Sequence, residues 1–212
     1  NFDWKQSSDI NELTAQIHLY DGFLAKQRFS ALQADIGINV SNELYNIRSS
    51  GLLTGWNYEP YVWDTVHFHI DHSDNDLSYY RFNATTATGD SVKLYGEREL
   101  TGDIIITDFK GVLKETEINI SKPFYINKKD NIISFPQVNI KFGDGELKLS
   151  GNYVSNDDYN ISGNISNLDL NKFYSLIGKS YRVGGLLKNV KFNIEKNNDQ
   201  SAPFNKIFIE KT

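Results

Sequence analysis

Alternation of apolar and polar residues with a period of two most constrains what this 212-residue chain can fold into. Val138, Ile140 and Phe142 alternate with Asn139 and Lys141, and short segments of the same kind recur along most of the sequence. This period places the apolar side chains on one face of a β-strand. Glycine, asparagine and aspartate separate the segments at intervals of about 8 to 12 residues, which is typical of an all-β architecture. About twelve strands are predicted in this way.

Several segments are less regular, and their interpretation rests on local signals. Asp21-Gly22 is predicted to form a turn, and Leu44–Ile47 a short helix. Gly51–Pro60, which contains glycine and proline, is predicted to be a loop or bend. Ile104–Ile106 and Val112–Leu113 are predicted to form a pair of separate strands.

One segment changes from the strand period to the helical one. Apolar residues at Leu170, Phe173, Leu176 and Ile177 have the spacing of an amphipathic helix. A short α-helix is therefore predicted near Leu168–Ile177, where it would cover one end of an apolar sheet or act as a gate.

Composition excludes several classes of function. The chain has no cysteine, so it forms neither disulfides nor thiolate metal sites. Its net charge of −5 and the absence of a basic run argue against nucleic acid as a partner. No apolar run approaches the roughly 20 residues that span a bilayer as a helix. Because no nucleophile elbow or phosphate loop is present either, the chain is predicted not to be an enzyme and to need no cofactor.

Histidines cluster in the segment Asp64–Asp76. His67 and His69 are two residues apart and would share one face of a strand, and His72 with nearby aspartates could complete a metal site. The favoured interpretation is that these side chains form the solvent-exposed face of a strand and bind no metal. A calcium loop is disfavoured because the closing glutamate is missing.

A second cluster is aromatic. It could be a carbohydrate platform or a belt at a bilayer interface, but side chains of the core and sheet surface are the favoured interpretation. Its members are Trp56, Tyr58, Tyr61, Trp63, Tyr79 and Tyr80.

The second half of the chain carries a longer pattern. Pro136 to Gly151 reads P-x-V-x-I-x-x-G-x-G-x-L-x-L-x-G, and Ile161 to Phe173 reads I-x-G-x-I-x-x-L-x-L-x-x-F. With Gly185 and Val190 after them, these segments resemble the C-terminal region of the AsmA-like and TamB-like envelope proteins of diderm bacteria. The resemblance is strongest over residues 104–209.

This resemblance implies a fold and a function. The fold would be a long, curled, mostly antiparallel sheet, a half-pipe, with residues 1–212 forming a single β-rich segment of a larger envelope protein. The function would be phospholipid transport between the inner and outer membranes, or support of outer-membrane assembly and homeostasis. The protein would lie in the periplasm, with an inner-membrane anchor outside this segment and an outer-membrane barrel protein as a partner.

The apolar strand positions admit two interpretations. They would suit a groove for phospholipid acyl chains, as the resemblance implies, or the dry core of a β-sandwich that binds carbohydrate or protein in the periplasm or at a cell surface. The candidate groove residues are Ile104, Ile106, Ile118, Ile120, Val138, Ile140, Leu147, Leu149 and Ile161.

Overall fold

The fold is all-β, with antiparallel strands and, among the described residues, one short helix. The computed structural model describes residues 2–6, 11–24, 26–41, 44–58, 60–74, 77–129, 132–155, 158–176, 184–196 and 206–211. The chain divides into two compact units, of which unit 1 comprises residues 1–101 and 111–113 and unit 2 comprises residues 102–110 and 114–212. The fold class predicted from the alternation is confirmed. No helix in the described ranges has the length and apolarity needed to cross a membrane.

Unit 1 is built on an antiparallel meander in which each strand pairs with the next along the chain. Short turns between the strands are sufficient for this arrangement, because antiparallel neighbours need no crossover. The strands are β1 (Phe2–Gln6), β2 (Asn11–Leu24), β3 (Gln27–Ser41), β4 (Leu44–Tyr58), β5 (Tyr61–Ser73), β6 (Ser78–Thr85) and β7 (Ser91–Arg98).

Unit 2 follows the same principle with one branch. Its strands are β8 (Ile104–Leu113), β9 (Thr116–Ile120), β10 (Phe124–Lys129), β11 (Ile132–Phe142), β12 (Gly145–Ser155), β13 (Asp158–Asp169), β14 (Leu186–Lys196) and β15 (Lys206–Lys211), and the helix is α1 (Leu170–Leu176). The last three residues of β8 belong to unit 1. β10 pairs with the first part of β11, and β9 pairs with its last part, so the two short strands share one edge of β11.

Four local predictions are wrong. Leu44–Ile47 and most of Gly51–Pro60 form β4, so the predicted short helix and loop are parts of one strand. Asp21-Gly22 does not end β2, which continues to Leu24 with Asp21 at a positive φ of 50°. Residues 104–113 form the single strand β8. In each case pairing with a neighbouring strand outweighs the local turn or helix signal.

The predicted helix is confirmed, with α1 beginning at Leu170 and ending at Leu176. Leu168 lies in β13, and the predicted end at Ile177 and Gly178 falls outside the described residues.

The core of unit 1 is a cluster of buried side chains near the β4–β5 hairpin. Val66 and Ala84 are each 1% exposed at its centre. Gly55 has a positive φ of 59°, and the register of β4 with β5 is the same on either side of it. The cluster is Phe29, Leu53, Tyr61, Trp63, Val66 and Ala84, with Leu32, Trp56, Phe82, Val92 and Leu113 packed against it.

The buried phenol of Tyr61 predicts a loss of stability at alkaline pH. Burial, followed by the negative charge of Asp90, raises the pKa of Tyr61 from 10.0 to about 12. Since the folded state holds this proton more tightly than the unfolded state, its contribution to stability is complete below pH 10 and is lost as the pH rises through about 12. Tyr61→Phe removes that dependence. The free energy of unfolding of the wild type and of the variant is measured by urea unfolding, with circular dichroism as the signal, at a series of pH values. We expect the wild type to lose stability relative to the variant only above pH 10. A constant difference between the two proteins at every pH would contradict the assignment.

Candidate functional site

The candidate groove residues of unit 2 all lie on one face of its sheet. Directly opposed residues in an antiparallel pair point to the same side, and each second residue along a strand does so too. Ile140 lies opposite Leu147 on one side and opposite Ile120 on the other. Val138 lies opposite Leu149. The sequence therefore placed these side chains together correctly, although their ligand stays a prediction.

The same registers extend this surface beyond the predicted residues. The surface is called the apolar face below. It consists of Ile104, Ile106, Ile118, Ile120, Phe124, Ile126, Val138, Ile140, Phe142, Leu147, Leu149, Ile161, Ile165, Val190, Phe192 and Ile194.

The opposite side of β9 and of β11 to β14, called the polar face below, carries mainly amides, hydroxyls and charges. Lys148, Asn164 and Lys191 lie in register across β12, β13 and β14. Ser150 and Ser162 also face each other, with their Oγ atoms 3.2 Å apart. The full set is Asn119, Asn139, Lys141, Glu146, Lys148, Ser150, Asn152, Asn160, Ser162, Asn164, Ser166, Asn189, Lys191, Asn193 and Glu195. The two faces therefore differ in chemistry rather than in exposure, since Asn139 on the polar face is only 9% exposed.

The apolar face is covered only in part. Ile118 and Val138 are 6% and 7% exposed, whereas most of the other side chains are partly buried. All described strands of unit 2 belong to one sheet, and α1 is the one described helix of the unit. Within the described part of unit 2, no second sheet lies across the apolar face. The arrangement leaves aliphatic surface that an apolar ligand could cover.

The helix α1 is fixed at one end of this face. Phe173 packs edge-on against Phe142, with ring centroids 5.9 Å apart and planes at 86°. Asp169 Oδ1 accepts hydrogen bonds from the backbone N–H groups of Asn171, at 2.9 Å, and Lys172, at 3.4 Å. This is the N-capping arrangement that satisfies free amides at a helix start. Lys114 Nζ donates a hydrogen bond to the carbonyl oxygen of Ser175 near the other end of the helix.

Three cross-strand pairs set a phenylalanine ring against a glycine. Gly163 lies opposite Phe192, Gly51 opposite Phe68, and Gly22 opposite Phe29. A Cβ atom added at these glycines would lie 2.5, 2.6 and 2.3 Å from the ring Cζ atoms. The rings therefore lie over the backbone of the neighbouring strand, where any side chain would displace them. In unit 2 the ring of Phe192 therefore lies flat against the sheet on the apolar face and does not project from it.

Unit 1 is also two-sided. Its apolar side chains, which share one face through the strand registers, are Leu13, Ala15, Ile17, Leu32, Ala34, Ile36, Ile38, Ile47, Leu53, Val66, Phe68, Ile70, Tyr80, Phe82, Ala84, Val92 and Leu94. The buried cluster occupies part of this face.

The predicted aromatic cluster does not form one surface. Trp56, Tyr61 and Trp63 belong to the buried cluster or pack against it, whereas Tyr58 is 50% exposed. Tyr79 and Tyr80 are neighbours on β6 and so point to opposite faces. A single carbohydrate platform from all six residues is not formed.

The structure separates the three candidate metal-binding histidines. His67 and His69 lie exposed on the polar side of β5, and His72 lies on the other side because its position differs from theirs by an odd number of residues. The Nδ1 atom of His72 is 3.0 Å from Ser78 Oγ, and its Nε2 atom is 3.5 Å from Asp74 Oδ1. No group of three or more metal-ligating side chains occurs in the ranges that the structure describes. The disfavoured alternative, a metal site shared by the three histidines, is therefore not assembled in the described residues.

Sequence reasoning missed two concave sites. A depression of about 450 Å³ in unit 1 is lined partly by Gln16, Asp35, Arg48, Ser50 and His69, which come from four strands. A cavity of about 310 Å³ in unit 2 lies at α1. The residues that line the depression in unit 1 are brought together only by the strand register, which the sequence does not show. For the cavity at α1, the helical spacing of Phe173 and Leu176 was the one indication in the sequence.

Comparison with known proteins adds no relative: neither a family model, nor a curated protein, nor a solved structure matches the chain.

The glycine–phenylalanine pairs predict unequal effects of two alanine substitutions in unit 1. Gly51→Ala places a methyl group against Phe68 and the carbonyl oxygen of Gln33, and overpacking of this kind costs about 1–3 kcal/mol. Gly37→Ala is the matched control, because a Cβ there has no neighbour within 4 Å, and we expect a neutral effect or a gain of about 0.4–1 kcal/mol. All three tryptophans of the chain lie in unit 1, so tryptophan fluorescence during urea unfolding reports this unit. Equal midpoints for the two variants would contradict the packing.

Proposed function

We propose that the chain is a lipid-binding conduit segment that carries phospholipid acyl chains on its apolar face. The observation that supports this most is the two-sidedness of unit 2, in which a continuous aliphatic face lies opposite a face of amides, hydroxyls and charges. A soluble β-sheet with one apolar face must cover that face. In the described part of unit 2 no second sheet does so.

The energetics favour an acyl chain as the cover. Exposing a chain of about sixteen carbons to water costs on the order of 10 kcal/mol, at about 0.8 kcal/mol for each CH₂ group. Polar contacts cannot offset a cost of this size, whereas a continuous apolar lining can. Branched aliphatic side chains such as Ile140 and Leu149 provide such a lining without any group that needs a hydrogen bond. The mechanism is passive, since the lining lowers the desolvation barrier and another process sets the direction of transport.

The resemblance to AsmA-like and TamB-like proteins supplies the setting of the proposal. Phospholipid would move between the inner and outer membranes, in support of outer-membrane assembly and homeostasis. The segment would act in the periplasm, with its inner-membrane anchor elsewhere in the parent protein and a barrel protein as its partner at the outer membrane. No step of this function requires catalysis or a cofactor.

Lipid analysis of the purified protein tests the proposal directly. The protein is purified without detergent from diderm bacteria, extracted with organic solvent, and analysed by mass spectrometry. Phospholipid in roughly molar proportion to the protein is expected, and protein that is free of lipid would overturn the proposal. The alternative function, a binding module for carbohydrate or protein, would be favoured by that second outcome.

Charge on the two faces of β13 should have opposite consequences. Ile161→Asp puts a carboxylate on the apolar face, where desolvation opposes it, and we expect at least tenfold less bound lipid with an unchanged circular dichroism spectrum. Asn164→Asp is the matched control on the polar face, between Lys148 and Lys191, and should bind lipid normally. If Ile161→Asp instead unfolds the sheet of unit 2, the face is a dry core and the conduit interpretation fails.

A further inference from the structure

The cavity at α1 has two chemically different parts. Its walls include apolar side chains from β11, β13, α1 and β14, and Leu168 and Leu176 among them are 4% and 6% exposed. The volume of about 310 Å³ corresponds to roughly ten water molecules at liquid density. The apolar lining residues are Phe142, Leu168, Phe173, Leu176 and Leu186. This part of the cavity favours hydrocarbon over water.

Charged side chains also line this cavity. Asp144 comes from the turn between β11 and β12, Asp169 from the end of β13, and Lys172 from α1. The set contains two carboxylates and one ammonium group, so its formal charge is −1. Asp144 and Lys172 are exposed, which places them at the mouth of the cavity and not in its interior.

The cavity adjoins the apolar face at Phe142. Phe142 belongs to both: it lines the cavity, and it lies opposite Ile118 in the register of β9 with β11. An acyl chain on the apolar face would therefore meet the cavity at Phe142. A polar group at the end of that chain would meet the two aspartates and the lysine.

We propose that this cavity is the end site of the conduit and selects a zwitterionic, amine-bearing phospholipid headgroup. The ammonium group of the lipid faces Asp144 and Asp169, and its phosphate faces Lys172. An anionic headgroup without an amine can pair only with the lysine and is repelled by both carboxylates. The inference rests on the proposed function, because it requires acyl chains on the apolar face.

The test is a competition between two lipids with identical acyl chains. The protein is incubated with vesicles of equimolar phosphatidylethanolamine and phosphatidylglycerol and separated from them by flotation, and its bound lipid is quantified by mass spectrometry. We expect the wild-type protein to be enriched about two- to fivefold in phosphatidylethanolamine, the range that exposed charge pairs provide. Asp144→Lys should reverse the preference, and Asp144→Asn should reduce it.

The control reverses the charge of Asp158, at the end of β13 opposite to Asp169. Asp158→Lys alters the net charge as Asp144→Lys does, but Asp158 begins the strand that Asp169 ends, so the headgroup preference should stay that of the wild type. Two results would overturn the headgroup assignment and leave the conduit intact. In the first, the wild-type protein binds both lipids without preference. In the second, Asp158→Lys changes the preference as much as Asp144→Lys does. A wild-type protein that binds neither lipid would overturn the proposed function itself. Thermal melts of each variant separate lost binding from lost folding.

Discussion

The structure depends on one constraint: each strand presents an apolar side and a polar side, and the register keeps like sides together. A shift of one residue would move an entire row of side chains to the wrong face. In unit 2 the row Ile120, Ile140 and Leu147 runs across three strands without a polar interruption. The row of Lys148, Asn164 and Lys191 on the other side is equally free of aliphatic side chains. The chemistry of each face is thus fixed by the pairing and not by any single residue.

Period-two alternation was sufficient to predict the class of fold and the sidedness of unit 2. Ile118, Val138 and Ile161 could be assigned to one face because the period is an intrinsic property of extended backbone. The ends of strands were predicted less well. The segment Leu44–Ile47 is too short for its period to distinguish a helix from a strand, and its pairing with β3, where Ile47 lies opposite Ile38, decides the outcome.

Glycine was the most misleading residue for this sequence. Gly22, Gly51 and Gly55 were interpreted as turn or loop residues, yet all three lie inside β2 or β4. Two of them leave room for a ring on the adjacent strand, and Gly55 has a positive φ of 59°. A glycine that accommodates a cross-strand partner looks the same in sequence as one that ends a strand. The difference depends on which residue lies opposite, and that information comes only from the register.

The same reasoning explains why the cavity could not be predicted although the apolar face could. The face needs only the alternation within each strand, whereas the cavity needs β11, β13, β14 and α1 to meet at one place. Placing Phe173 against Phe142 depends on where β13 ends and where Asp169 caps the helix. A helix of two turns is too short to be stable alone, so its position is determined by this packing. The helix in turn protects one end of a sheet whose remaining apolar surface stays partly exposed, and this exposed surface is where the proposed acyl chain would bind.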